Sequence, residues 1–254
     1  EHDGMYKYTS GSVASFREAA LYKKEVVAKG FKDAFVVAFY HNKRISMDEA
    51  SKIQKGFMTL VDQERQDELL ELTKEIESRR SCGGSAANTI IAVSQFGGKS
   101  FYSFKVASDE TGEFYLNDIK DNGVDSKNTL ETLPPGTTGK CMVMVTDDAE
   151  RTMNTYLGIT ETLSEDQIDE QALRASKWLY IEGYLVTSPT GLKAAIKARE
   201  IAESCGVKTS LTMSDPNMVK FFKDNMKAII GDGLDLIFCN EHEAMDFTDT
   251  TSLN

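Results

Sequence analysis

The 254-residue sequence has few cysteines, no excess of positive charge and no long hydrophobic run. Its four cysteines, Cys82, Cys141, Cys205 and Cys239, show neither the paired spacing of metal ligands nor a disulfide pattern. We therefore expect four reduced and mostly buried thiols in a cytoplasmic protein. The net charge of −11 makes nucleic acid and anionic membrane surfaces unfavourable partners.

Membrane insertion is not expected either, because no apolar stretch approaches the roughly 20 residues of a membrane-spanning helix. No signal peptide is visible. Residues 1–50 carry 8 Lys/Arg against 7 Asp/Glu, so the acidic excess belongs to residues 51–254. The first fifty residues also hold 8 of the 22 Phe and Tyr. This shift indicates two regions of different origin, which we divide at residues 50 and 51.

The first region has the pattern of a small β-α-β-β unit. Residues 5–10 predict a strand, and Ser15 with Glu18 forms a capping box that opens a helix to about residue 30. Residues 33–40 are rich in strand formers and precede a hairpin turn at 41–43. A further cap predicts a short helix from residue 46. A unit of this size buries too little apolar surface to be stable alone.

From about residue 53 the chain alternates between strand and helix patterns. The predicted strands are 55–60, 99–107, the two arms of a hairpin at 136–156, 178–182, 208–213 and 234–239. The predicted helices are 61–77 capped by Asp62, about 84–96, 109–122 closed by Gly123, 188–204, 217–229 and a last one after residue 239. This alternation predicts an α/β fold with a mostly parallel sheet of at least four strands flanked by helices.

The stretch S-C-G-G-S-A-A-N, residues 81–88, places two glycines directly before a helix. Because Gly83 and Gly84 lack side chains, a ligand or a neighbouring strand can approach their backbone. The free N–H groups of the helix start favour anions or hydroxyls, and the Asn88 amide suits sugar hydroxyls. A glycine turn packed tightly on the sheet explains these residues equally well. No G-K-[ST] follows, which excludes a phosphate P-loop.

Polar side chains also follow three predicted strands. Asn240 and Glu243 come after the run at 234–239, Asp215 after 208–213, and Glu182 ends 178–182. Open α/β sheets bind ligands at this edge, so these groups are candidates for contacts with phosphate, hydrated Mg²⁺ or a substrate hydroxyl. Ordinary helix caps explain Asn240, Glu243 and Asp215 as well.

Residues 53–254 resemble the PfkB/ribokinase family of sugar and nucleoside kinases. The matching segments, in the family's order and spacing, are K-G-F-M-T-L-V-D, G-G-S-A-A-N-T-I, K-V-A-S-D-E-T-G-E-F, T-T-G-K-C-M-V-M-V, A-E-R-T-M-N-T-Y-L-G and N-E-H-E-A. The segment Y-L-V-T-S-P-T-G is similar to the adenosine-kinase-like branch. The resemblance implies a ribokinase-like fold with a small β lid made of residues 55–60 and 137–157.

The resemblance also implies roles for the candidate residues. Gly83, Gly84 and Asn88 match the sugar-binding glycine motif, and Asn240 with Glu243 matches the N-x-x-E motif that organises Mg²⁺ and phosphate. Such kinases transfer the γ-phosphoryl group of ATP to a hydroxymethyl group. We expect Asp215 on the Mg²⁺ and phosphate side, Glu182 on the substrate side, and no residue that binds the metal directly. A homodimer through the β lid is a further expectation.

Two parts of the family pattern are missing from the 254 residues. The second glycine motif, which carries the anion hole and the catalytic aspartate, is absent, so no catalytic residue is assigned. The first strand is absent too, and residues 5–49 instead resemble the second half of a SPOR-type domain, a module that binds peptidoglycan glycans. We expect a chimera with a seam near residues 48–53, produced by engineering, natural fusion or a gene-model error. The alternative to an impaired kinase is a glycan-binding or protein-interaction module without catalysis.

Overall fold

The computed structural model describes residues 22–23, 26–29, 38–40, 43–45, 58–145 and 151–252. In the first region, residues 22–23 and 26–28 are helical, and strand β1 (Ala38–Tyr40) pairs antiparallel with β2 (Lys43–Ile45). The predicted strand at 5–10 and helix from 46 lie outside the described residues, as does most of the SPOR-like segment.

The remaining elements follow the predicted alternation. The helices are α1 (Gln63–Leu72), α2 (Ser85–Gln95), α3 (Glu110–Asp121), α4 (Glu170–Arg174), α5 (Pro189–Ser204), α6 (Pro216–Ile230) and α7 (Glu241–Thr248). The strands are β3 (Met58–Leu60), β4 (Ser100–Phe101), β5 (Val124–Asp125), β6 (Thr138–Val145), β7 (Arg151–Gly158), β8 (Trp178–Ile181), β9 (Lys208–Thr212) and β10 (Leu236–Phe238). Short 3₁₀ helices lie at Leu130–Thr132, Ile159–Thr162, Glu165–Gln167 and Gly183–Thr187.

The chain divides into two compact units. One comprises Glu1–Val61 with Cys141–Thr155, and the other comprises Asp62–Lys140 with Tyr156–Asn254. The first unit holds the β1–β2 hairpin and most of a three-stranded sheet in the order β3-β7-β6. The second unit holds the parallel sheet β10-β9-β8 and the separate parallel pair β4-β5. All candidate site residues belong to the second unit.

Side-chain caps set the helix starts of the second unit. Asp62, Asp109 and Asn240 each accept a hydrogen bond from the backbone N–H three residues ahead, at 2.8 to 2.9 Å. The predicted end of α1 at residue 77 is wrong, because the helix ends at Leu72. The Thr73 hydroxyl donates to Leu69 O at 2.7 Å and competes with the helical ladder, while Ile76 is 65% exposed and adds no packing.

The predicted long strand at 99–107 is also wrong, and the described ranges do not contain the predicted sheet of at least four strands. Only Ser100–Phe101 is a strand, and the largest parallel sheet in the described ranges has three strands. After Phe101, side chains replace a partner strand: Asn128 Nδ2 donates to Phe104 O at 3.0 Å, and Ala107 N donates to Thr138 Oγ1 at 2.9 Å. Residues 102–107 therefore form a partly buried segment that is not a strand, with Phe104, Val106 and Ala107 buried.

Two of the apolar clusters in the second unit pack the helices that carry the candidate site residues. One packs α2 and α3 around Ala87, Phe104, Leu116 and Ile119. The other packs α5 and α6 against β8 and β9. Its members are Ile181, Val186, Ala195, Leu211, Met213, Val219, Met226 and Ile229. These clusters fix the helices that carry the candidate site residues against the strand ends.

The expectation of mostly buried thiols is wrong. All four cysteines are free, but only Cys82 is buried, whereas Cys141, Cys205 and Cys239 are exposed. Cys239 follows β10, the edge strand of its sheet in the described ranges, where Leu236 and Phe238 are also more than 40% exposed. Within the described part of the chain, no helix is both long and apolar enough to cross a membrane.

Candidate functional site

The two glycines before α2 form an open turn. Gly84 is the N-cap of α2, with φ +99° and ψ 146°, and no side chain caps the helix there. A Cβ atom added to Gly83 or to Gly84 would meet no atom within 4 Å. The alternative of a turn packed tightly on the sheet is therefore not what the structure has. The backbone of this turn is accessible to a ligand.

Helix α3 holds the turn from behind. Cys82 N donates to Asp118 Oδ2 at 2.7 Å, and the Tyr115 hydroxyl donates to Gly83 O at 3.2 Å. Burial and the adjacent Asp118 carboxylate raise the pKa of the Cys82 thiol to about 12. The position of the turn is thus fixed by long-range contacts that leave its outer face open.

Asn88 lies one turn further along α2. Its backbone N–H donates to Gly84 O at 2.9 Å, and its side chain is exposed. Among the described residues, its amide makes no hydrogen bond. A free amide beside an open glycine backbone can donate to one hydroxyl oxygen and accept from another hydroxyl, which suits a polyhydroxylated ligand.

Glu182 follows β8 and is held by two hydroxyls. Ser214 Oγ, just beyond β9, donates to Glu182 Oε1, and the Tyr180 hydroxyl donates to Oε2 at 3.3 Å. Burial raises the pKa of Tyr180, and the nearby hydroxyls of Thr89 on α2 and Thr212 on β9 partly offset this rise. The structure therefore brings Glu182 close to the helix that starts at the glycine turn.

Asn240 and Glu243 form a closed capping box at the start of α7. Glu243 is 5% exposed, and its two carboxylate oxygens accept from Asn240 N and Nδ2 at 2.9 Å. Glu243 N in turn donates to Asn240 Oδ1 at 2.9 Å. The helix-cap explanation thus holds for both residues in full, and any ligand contact is additional to it.

The same box lines an open depression of about 430 Å³ at the carboxyl ends of β9 and β10. The lining residues are Thr212, Ser214, Ile237, Phe238, Cys239, Asn240 and Glu243. Hydroxyl and amide donors on this wall suit phosphate oxygens. Within the described ranges, no group of three or more His, Cys, Asp or Glu could hold a metal ion.

Asp215 is a helix cap that also faces a tyrosine. It accepts from Asn217 N at 2.7 Å at the start of α6. Burial raises the pKa of Tyr184, and the charges of Asp215, Glu182 and Glu243 raise it further. The charges of three of the predicted acidic residues therefore all act on the Tyr184 phenol.

Sequence reasoning missed Tyr180, Tyr184 and Ser214. All three lie within or beside I-E-G-Y and S-D-P-N, the segments that contain the candidate residues Glu182 and Asp215. A hydroxyl in such a segment was a usable signal, because it can donate to the carboxylate next to it. Their convergence depends on the pairing of β8 with β9, which no local pattern specifies.

Comparison with known proteins gives a consistent result. The profile of the family described as pfkB family carbohydrate kinase matches residues 57–254. The adenosine kinase from Sinorhizobium meliloti is 33% identical over 80% of this chain, with a TM-score of 0.70. A probable sugar kinase from Rhizobium etli is 32% identical over 80% of this chain, with a TM-score of 0.69. These structures confirm the predicted ribokinase-like α/β fold.

Curated sequences match a shorter part of the chain. The 5-dehydro-2-deoxygluconokinase of Clostridium beijerinckii is 27% identical over 134 residues, which is 52% of this chain and 40% of that protein. The probable chloroplastic fructokinase-6 of Arabidopsis thaliana is 29% identical over 143 residues. The chain spans 40% of the first of these relatives and 62% of the Sinorhizobium meliloti kinase.

Proposed function

Because the chain belongs to the pfkB family of carbohydrate kinases, we propose that it carries the substrate-binding part of an ATP-dependent kinase for a nucleoside or sugar hydroxymethyl group. The observation that carries this proposal is the open turn at Gly83–Gly84, fixed in position by Asp118 and followed by Asn88, whose amide has no hydrogen-bond partner in the described ranges. This arrangement offers backbone N–H groups and an amide to the hydroxyls of one ligand.

A ribose-containing nucleoside is the substrate class that we favour. The Sinorhizobium meliloti and Rhizobium etli structures are 33% and 32% identical to this chain and each match 80% of it. The first of them is an adenosine kinase. The match to the gluconokinase covers 52% of the chain at 27% identity, which supports a sugar less strongly. In our proposal Gly83, Gly84, Asn88 and Glu182 contact the substrate.

The depression beside α7 fits the phosphate groups and metal of Mg-ATP. Thr212 and Asn240 supply neutral donors, and the Glu243 carboxylate supplies negative charge. Since both oxygens of Glu243 already accept from Asn240, we expect contact with Mg²⁺ through water, near Asp215. Bound Mg²⁺ would neutralise charge on the transferred phosphoryl group.

Ligand binding by the chain tests this proposal. We expect adenosine, D-ribose or D-fructose to raise the Tm, with adenosine giving the largest shift. Asn88→Ala should weaken binding about tenfold without changing the Tm of the free protein, since the side chain is exposed and unpartnered. The control is Gln95→Ala, an exposed amide at the far end of α2 whose Nε2 makes one long hydrogen bond to Asn122 Oδ1 at 3.4 Å. A chain that binds none of these compounds, or an Asn88→Ala variant that binds as well as the wild type, would contradict the proposal.

Turnover needs more than the residues that bind. The resemblance puts the general base in a glycine motif that residues 1–254 do not contain, so we expect this polypeptide alone to bind without phosphorylating. ADP release from Mg-ATP in the presence of adenosine or fructose, well above a blank, would contradict this expectation. The division at residue 50, the lid, the homodimer, glycan binding by residues 5–49 and the chimeric origin all stay predictions.

A further inference from the structure

Ser214 is held in a backbone conformation that residues other than glycine seldom adopt. Its φ is +64°, and Asp215 N donates to Met213 O across it at 2.7 Å, which closes a three-residue turn. Turns of this kind are strained, and such strain is retained where the side chain has a purpose. Among the described residues, one other non-glycine residue has a positive φ: Asp249, at the exposed end of α7.

The Ser214 side chain has a single acceptor, the Glu182 carboxylate. Ser214 holds Oε1, and Tyr180 holds Oε2 at 3.3 Å, so two hydroxyls from neighbouring strand ends fix the plane of this carboxylate. Glycine at position 214 would make the turn without strain but would leave Oε1 without its donor. The strained serine is therefore explained by what it does to Glu182.

Glu182 connects the two halves of the candidate site. On one side Tyr180, which donates to Glu182, is near enough to Thr89 of α2 for that hydroxyl to lower its pKa. On the other side Ser214 lines the depression that contains Asn240 and Glu243. A single carboxylate thus lies at the junction between the proposed substrate side and the proposed phosphate side.

We propose that Ser214 is a positioning residue for Glu182, and that the carboxylate it orients accepts a hydrogen bond from one ribose hydroxyl of the substrate. This inference rests on the proposed function and assigns its specificity to one residue pair. A carboxylate with its plane fixed still has lone pairs for a substrate hydroxyl. A charged acceptor placed for one hydroxyl rejects an analogue that lacks it, because the carboxylate then loses its partner.

The test compares Ser214→Gly with Ser214→Ala. Both variants lose the donor, but only glycine relieves the positive φ, so the glycine variant should have the higher Tm. Calorimetric titration with adenosine, 2′-deoxyadenosine and 3′-deoxyadenosine then separates the roles. We expect both variants to bind adenosine about tenfold more weakly and to lose the preference over the same deoxy analogue. A merely structural role would make affinity follow Tm, with the alanine variant worse for all three ligands.

Three further variants complete the experiment. Asp249→Gly and Asp249→Ala should differ in Tm in the same direction and leave binding unchanged, because Asp249 is not among the residues that line the depression. Glu182→Gln should lose the same hydroxyl preference as the Ser214 variants. Unchanged discrimination in Ser214→Gly, or wild-type affinity equal for all three nucleosides, would overturn this inference alone. A wild-type chain that binds no nucleoside and no sugar would overturn the proposed function and the inference together.

Discussion

The two polar ends of the candidate site use their hydrogen-bonding groups in opposite ways. At the glycine turn, Gly84 caps α2 without a side chain, and the Asn88 amide has no partner among the described residues. At the start of α7, Asn240 and Glu243 satisfy each other through hydrogen bonds of 2.9 Å. A free group is available to a ligand at once, whereas a satisfied group must first exchange its partner.

This difference distinguishes residues that stabilise the fold from residues that are available to a ligand. The glycine turn is fixed by Asp118 and Tyr115 behind it, and its outer face adds nothing to the stability of the fold. The capping box holds a helix start and buries a carboxylate, so it stabilises the fold whether or not a ligand binds. Substitutions in the two places should therefore affect stability and binding in different proportions.

The largest effect on stability is expected at the box. Glu243→Ala leaves Asn240 N and Nδ2 without acceptors at a partly buried position, and we expect a loss of about 2 kcal/mol in the free energy of unfolding. Urea unfolding measures it. Glu243→Gln keeps one acceptor oxygen and should lose less than half as much. A loss below about 0.5 kcal/mol for alanine would mean that the carboxylate is free for a ligand after all.

At the glycine turn, one substitution should lower stability and the neighbouring one should lower ligand binding. Gly84→Ala should cost about 1 to 2 kcal/mol, because φ +99° with ψ 146° is accessible essentially to glycine alone. Gly83→Ala meets no atom within 4 Å and has no positive φ, so the Tm should not change. Its methyl group nevertheless enters the face that a ligand would contact, and adenosine binding should weaken. Wild-type affinity in Gly83→Ala would place the ligand elsewhere.

Local features of this fold could be predicted from the sequence. The sequence predicts the caps at Asp62 and Asn240 as single residues before apolar helical patterns, and each one starts a helix. A cap acts within four residues, so its signal lies entirely in the local sequence. The glycine turn was identified in the same way, but whether it was packed or open could not be decided, because that depends on what lies across from it.

Features that depend on residues distant in the sequence could not be predicted from local patterns. The strained turn at Ser214 contains no glycine or asparagine that would predict it. The Ser214 side chain instead donates to a carboxylate 32 positions earlier in the chain. The predicted strand at 99–107 failed because side chains of Asn128 and Thr138 took the hydrogen bonds of a partner strand. Neither the Ser214–Glu182 hydrogen bond nor the hydrogen bonds of Asn128 and Thr138 produce a periodic pattern in the sequence.

A smaller effect is expected where α3 holds the glycine turn. Asp118→Ala removes the acceptor of Cys82 N, and we expect about 1 kcal/mol of lost stability and a larger relative loss of adenosine binding. Asp118→Asn keeps an acceptor oxygen and should restore much of the binding. Asp121→Ala, an exposed neighbour on the same helix, is the control and should change neither quantity. Equal losses of binding in the Asp118→Ala and Asp121→Ala variants would contradict the role of Asp118.

The smallest effect is expected for the reaction rates of two cysteines, one at the glycine turn and one in the depression. Cys82 lies behind the glycine turn with its pKa raised to about 12, so at pH 8 it is a buried neutral thiol, and the thiolate is the reactive form. Cys239 is exposed and lines the depression. Titration with a chromogenic disulfide should therefore show three fast thiols and one slow one, and Mg-ATP should slow Cys239 but not Cys141 or Cys205. Four equally fast thiols would show that the turn opens in solution, and no protection of Cys239 would separate the depression from the nucleotide.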